Sequence, residues 1–291
     1  MGRVQGGVSR RNTRDYRIRL GPLALPDWVL MVAVCLVPVV LMVVRSFGRV
    51  NAVTLDVEVS GTIDAYRTLF SPTYRPVFIR SLALSGLTVV LCVVVGLPTA
   101  LAMSRLGPRA RSWALVAVLM PSFVSFSVRI FAWQGVLATG GPVESLTGLQ
   151  LLYRPPAVLI GMMTAYVPLF ILPCYGALSR VPREALEAAS DLYAPPRRQL
   201  LTVTLPLAKS GIVTGAVLVA VLSIGEFIVP AVLGGGKVLL LGNILAERGA
   251  GRDQPLGGAI TVTMLATFVL AAAIVGVVRR RSADHRVESG S

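Results

Sequence analysis

The chain has 291 residues, 54% hydrophobic and only 14% charged, with a formal net charge of +14. So apolar a composition excludes an ordinary soluble domain of this length. The basic excess would suggest nucleic acid in a soluble protein, but here it accompanies long uncharged runs, and no nucleic-acid partner is expected.

Residues 1–27 form a basic tail suited to anionic lipid on the cytoplasmic face. Ser9-Arg10-Arg11 has the look of a twin-arginine signal, yet Asn12-Thr13-Arg14 follows where apolar residues belong. A cleavable leader is not expected either: the first apolar run is too long, and the stretch after Arg45 offers no small-residue cleavage site.

Uncharged runs then cover Trp28–Val44, Ser81–Ser104, Ser112–Val128, Pro155–Ser179, Ser210–Gly225 and Gln254–Val278. Each approaches or exceeds the ~20 residues that cross ~30 Å of hydrocarbon. Arg129 and Glu226 cut the third and fifth short, and apolar sequence resumes beyond each. The prediction is an all-α membrane protein of six transmembrane helices in one domain over residues 28–278. A barrel is excluded, because the runs lack period-2 alternation. With an inside N-terminus, the cytoplasmic segments hold 18 of the 28 basic residues and the outside segments 8. That asymmetry places both termini in the cytoplasm.

Between the first two spans, Ile63, Tyr66, Leu69 and Phe70 recur at helical spacing. They predict a short amphipathic helix, either lying on lipid or offering a docking face. Pro168 and Pro173 in the fourth run argue for a bent element beside a cavity. The outside loop from Gly234 to Pro255 contains a stretch able to form a short helix. Residues 279–291 read as a polar, disordered cytoplasmic tail after a basic stop.

No catalytic constellation emerges. The single histidine, His285, lies in the tail, and Cys35, Cys92 and Cys174 sit on separate runs without ligand or disulfide spacing. No metal site and no cofactor of the chain's own is expected. Gly234-Gly235-Gly236-Lys237 imitates part of a phosphate loop, but Val238 replaces the needed Ser or Thr and Ala231 the first Gly.

The segment of residues 180–210 is different. Its first part predicts a helix from Arg183 to Leu192, with Ala185, Ala188, Ala189 and Leu192 on one face. Arg183, Glu184, Glu187 and Asp191 fall largely on the other. Pro195-Pro196 stops it, and a second short helix is expected over residues 196–202. Alone, such a helix is as well explained as a solvated linker as a partner-binding element.

Its wording resembles the cytoplasmic "EAA" loop of binding-protein-dependent ABC importer permeases, E-A-A, three residues, G-A, then V-x-L-P. Glu187-Ala188-Ala189, Ala194, Val203, Leu205-Pro206 and Gly211-Ile212 stand at the matching places. Val128-Arg129-Ile130-Phe131-Ala132-Trp133, Ala157–Gly161 with Pro168, and Gly225-Glu226-Phe227 with Pro230 resemble the spermidine/putrescine (polyamine) permease family. The resemblance implies a type I ABC importer permease fold in a multi-pass protein of the bacterial inner membrane. It also implies a small cationic solute, and three partners: a second permease, a cytoplasmic ATPase dimer that uses ATP-Mg, and an extracytoplasmic binding protein. Glu187, Ala188, Ala189, Asp191, Tyr193 and Ala194 would then form the coupling helix and its turn, transmitting ATPase closure to the spans. Two departures bear on the geometry. Tyr193 replaces the loop glycine, which at φ > 0 costs ~1 kcal/mol or more and predicts a reshaped turn. Ser210 replaces a proline before Gly-Ile.

Arg129 lies 17 residues beyond Ser112, and Glu226 lies 16 beyond Ser210. At ~1.5 Å per residue, both reach ~25 Å from the inner boundary. Charges so deep face protein or a wet cavity. Their matched depth allows either a fixed brace between two helices or an outer gate in which Glu226 is held by Arg129 and released toward a cation. A stand-alone secondary transporter would call for several intramembrane acids, and Glu226 is the only one. A scaffold or sensor would call for a soluble domain. An opine-like amine or ferric iron is the alternative cargo to a polyamine.

Overall fold

The computed structural model describes residues 21–50, 57–249 and 253–288. The basic tail therefore lies outside the described residues up to Leu20. The chain divides into two units, Met1–Leu41 and Met42–Ser291. The described part of the first belongs to α1 (Gly21–Ser46), whose stretch Val29–Ser46 has a mean hydropathy of 2.6.

In the second unit a small antiparallel hairpin follows, β1 (Gly48–Val50) and β2 (Val57–Val59), with Gly48 opposite Val59. Then come α2 (Asp64–Leu69), α3 (Arg75–Arg105), α4 (Pro108–Phe123), α5 (Phe126–Leu137), α6 (Pro142–Thr147), α7 (Pro155–Leu178) and α8 (Arg183–Asp191). The chain continues with α9 (Pro196–Gln199), a π-helical turn (Leu200–Thr204), α10 (Leu205–Ile224), α11 (Ile228–Gly234), α12 (Leu241–Gly249) and α13 (Gln254–Glu288).

The first, second, fourth and fifth apolar runs each fall in a helix long and apolar enough to cross a membrane. The third does not form one straight helix. It breaks at Val124 and Ser125, whose backbones are extended, and the flanking helices diverge by 90°. Pro121 removes one donor from the last turn of α4, and Ser122, Val124 and Ser125 are weak helix formers. The sixth run lies within α13, whose apolar part spans Gln254–Leu270. Its backbone stays helical to Glu288, so the tail predicted as disordered from Arg279 is instead a helical extension. No Gly or Pro interrupts it there.

The interior is organised around α7, which packs against α3, α10 and α11. Phe170 of α7 is fully buried in a slot made by two glycines on neighbouring helices. A Cβ on Gly96 of α3 would collide with its ring, and one on Gly215 of α10 would lie 2.9 Å from its ring and its carbonyl oxygen. Four residues before Gly215, Gly211 sits against the Pro173 carbonyl and Ala177. Gly211 and Gly215 thus form the small-xxx-small spacing that lets apolar helices approach closely. The same buried stripe on α10 runs on through Val219 and Ser223. The two prolines of α7 accordingly lie in its most crowded region, and Pro173 also lines a cavity of about 450 Å³ with Ser210 and Thr214.

A second apolar cluster joins Leu69 of α2 to Leu241 and Ile244 of α12 and to Leu256 and Ile260 of α13. The predicted amphipathic helix therefore exists, but Leu69 is buried within the chain itself while Ile63 and Phe70 stay exposed. The glycine run 234–236 ends α11: Gly235 is left-handed at φ 53°, and the Tyr153 ring covers the space a Cβ would need. This is a helix stop, not a phosphate cradle.

Gly215→Leu is expected to destabilise the fold by about 1–3 kcal/mol through overpacking of the Phe170 slot. Gly176→Ala, where a Cβ meets nothing within 4 Å, should not destabilise the fold and should add up to about 1 kcal/mol. Thermal unfolding of the detergent-solubilised protein checks both.

Candidate functional site: an exposed coupling segment and two charged helix breaks

α8 forms where predicted, with Pro182 as its N-cap. Ala185, Leu186 and Ala189 are half-buried, so these residues, not the full Ala185–Leu192 face, turn inward. Glu187, Ala188 and Asp191 are exposed, and so are Leu192 (82%) and Tyr193 (95%). The tip of the segment is therefore an apolar knob edged with carboxylates.

The turn at that tip is not reshaped by the aromatic. Tyr193 adopts φ 55°, its N–H donates to the Ser190 carbonyl at 2.8 Å, and the Ala194 N–H donates to the Ala189 carbonyl at 3.1 Å. These two bonds close a Schellman motif with tyrosine in the left-handed position usually held by glycine. Pro195 then prevents continuation, as expected after such a cap. The Gln199 amide donates to the Ala194 carbonyl at 2.9 Å and to the Ser190 hydroxyl at 3.0 Å. Through the π turn, α9 runs directly into α10. The knob is thus tied by hydrogen bonds to the start of a long apolar helix.

Glu226 is not in mid-helix. α10 ends at Ile224, and Glu226 occupies the junction before α11. It is the one buried Asp, Glu, Lys or Arg among the described residues. One carboxylate oxygen accepts the N–H groups of Ile228 at 2.8 Å and Val229 at 3.2 Å, and the other accepts the Tyr166 hydroxyl of α7. A negative charge at a helix N-terminus meets free donors and the positive end of the helix dipole. Beside it, the Asn243 amide donates to the Phe227 carbonyl at 2.8 Å.

Arg129 lies in the first turn of α5, just past the other break. Its guanidinium donates to the Pro121 carbonyl of α4 at 2.9 Å and lies 5.6 Å over the Phe126 ring. A cation thereby caps the C-terminal end of α4. No Arg129–Glu226 ion pair occurs among the described residues. The two charges that matched depth brought together each serve a separate helix break. Sequence reasoning missed Tyr166. The available signal was a phenol inside an apolar run, which needs a polar partner when buried, and Glu226 is the only acid in such a run.

Residues 77–286 match the family described as binding-protein-dependent transport system inner membrane component. The chain belongs to that family. It is accordingly a multi-pass component of the bacterial inner membrane and a transport subunit. Among the relatives of this family member is the spermidine/putrescine transport system permease protein PotB of Haemophilus influenzae. It is 33% identical over 218 residues, covering 72% of this chain and 76% of that protein. The PotB of Escherichia coli (strain K12) is 29% identical, covering 70% and 77%. The molybdenum transport system permease protein ModB of Azotobacter vinelandii is 29% identical, covering 65% and 89%. The fold is shared with a chain of a bacterial ABC transporter involved in import of the acidic polysaccharide alginate, at a TM-score of 0.66 and 16% identity. That match covers 91% of this chain and 95% of the other. A chain of the MetNI methionine ABC transporter matches at 0.56 and 18% identity, covering 72% and 98%.

Glu226→Ala leaves two backbone donors and a phenol unpaired, and is expected to cost at least about 2 kcal/mol. Glu226→Gln keeps an acceptor for the α11 donors and a polar contact for Tyr166, and should cost less. Parallel thermal unfolding of the two variants measures the difference.

Proposed function

We propose that this chain is one of two permease subunits of an importer for a small cationic solute, a polyamine of the spermidine or putrescine kind. Uptake is driven by ATP-Mg hydrolysis on a separate ATPase dimer, with substrate delivered by an extracytoplasmic binding protein. The observation that carries the mechanical part is the exposed α8–Tyr193 tip, inside the family match and hydrogen-bonded to the root of α10. An ATPase that grips this tip moves α10, and α10 moves α7 through the Gly211–Gly215 contact. The cargo class rests on the two PotB relatives, and the partner set on the family's dependence on a binding protein. The chain contributes no nucleotide site of its own in this reading.

In the same reading the chain crosses the membrane six times with both termini inside. The broken α4–α5 pair supplies the third crossing and α13 the sixth. Glu226, beside Tyr166 at the break between α10 and α11, is the anionic group that a cation meets along the path.

Replacing Leu192 and Tyr193 by Asp should release the ATPase from the co-expressed complex while the second permease still co-purifies. Loss of both subunits, or of neither, contradicts a coupling role. Uptake of radiolabelled spermidine should fall several-fold in Glu226→Gln with the complex still assembled, and unchanged uptake removes Glu226 from the path. Nucleotide-independent transport by the purified chain alone would overturn the whole reading.

A further inference from the structure

Where α3 ends, α4 begins and α8 starts, the surface folds into a recess of about 730 Å³. It is lined by Ser104, Arg105, Arg111, Ser112 and Arg183 around the Gly107-Pro108 turn. A neighbouring cavity of about 470 Å³ shares Ser104, Arg105, Arg111 and Arg183. No carboxylate among the described residues lines either space. Among the described residues, none of the three arginines takes part in an ion pair.

Arg111 is held in place: its guanidinium lies 4.9 Å over the Tyr175 ring and donates to the Ser179 hydroxyl at 3.3 Å. Arg105 and Arg183 are exposed and, among the described residues, make no such contacts. The hydroxyls of Ser104 and Ser112 already donate to the Leu101 and Pro108 carbonyls, which leaves the guanidinium groups as donors to anything that enters. Three cations around one recess raise the local positive potential and favour the entry of an anion. Forked guanidinium donors match the oxygens of a phosphate group better than any other common biological anion except a carboxylate.

We propose that this recess binds a phosphate-type anion, either the headgroup of an anionic phospholipid or free phosphate. Arg105 closes α3, Arg111 lies in the first turn of α4, and Arg183 opens α8. A single anion shared by them fastens the root of the exposed α8 segment to the α3–α4 turn, and its loss frees that root. The site is distinct from the α8 tip and from Glu226. It requires neither ATPase, cargo nor a particular membrane orientation, so it is tested apart from the function proposed above.

The full-length chain, purified in an uncharged maltoside detergent, is titrated with dioctanoyl-phosphatidylglycerol, dioctanoyl-phosphatidylcholine and inorganic phosphate. Binding is read by native mass spectrometry and calorimetry. Phosphatidylglycerol should bind saturably and phosphatidylcholine should not. Arg105→Gln with Arg183→Gln should weaken phosphatidylglycerol binding about tenfold or more. Arg197→Gln with Arg198→Gln removes equal charge from α9, outside the recess, and should leave it unchanged. Displacement of the lipid by inorganic phosphate assigns a free-anion site, whereas persistence of the lipid assigns the headgroup. The proposal is overturned if neither phosphatidylglycerol nor phosphate saturates, if phosphatidylcholine binds as tightly, or if both arginine pairs weaken binding equally.

Discussion

Wherever this chain interrupts a helix inside apolar sequence, the freed backbone groups must find partners, since hydrocarbon offers none. Two charges answer that need at two breaks. Arg129 takes a carbonyl at the end of α4, and Glu226 takes two N–H groups at the start of α11. Each charge has the sign favoured by the dipole of the helix end it contacts, the C-terminal end of α4 and the N-terminal end of α11. A break is thereby a defined structure with its own polar partners. Tyr166 extends the second one onto α7, so that the junction between α10 and α11 is fixed to the most buried of the described membrane-length helices.

Close packing carries the rest. Phe170 fills a slot that exists only because Gly96 and Gly215 lack side chains, and Gly211 brings α10 onto the Pro173 carbonyl. Contacts of backbone with backbone leave little room for relative sliding, because interiors are packed as densely as crystals. Under the coupling role proposed above, these contacts are the route by which a displacement of the root of α10 is passed to α7 and α3. Gln199 and the Schellman turn at Tyr193 connect that root to the exposed tip.

Much of this was legible in the residues. Apolar run length located α3, α7 and α10 to within a few positions, because crossing hydrocarbon imposes a length that sequence must meet. The Glu187–Ala194 wording and the flanking prolines delimited α8. What composition could not reveal was local geometry. Nothing in the count of apolar residues distinguishes a straight third helix from one broken at Val124-Ser125. The depth arithmetic for Arg129 and Glu226 allowed an ion pair, but it could not show that each side chain takes a backbone partner beside a helix break instead. The hairpin at Gly48–Val50 and Val57–Val59 also escaped, being too short to show an alternating pattern. Tyr193 is the opposite case: its steric penalty predicts a reshaped turn, yet two hydrogen bonds and a following proline hold the left-handed form.

That tyrosine also sets the shape of the surface that the tip presents. A glycine at the same place presents bare main chain, and many receiving surfaces tolerate bare main chain. A phenol ring projecting into solvent instead demands a hollow of matching shape. Under the coupling role proposed above, the ATPase surface that receives this tip must therefore accommodate an aromatic ring standing 95% exposed on a left-handed turn.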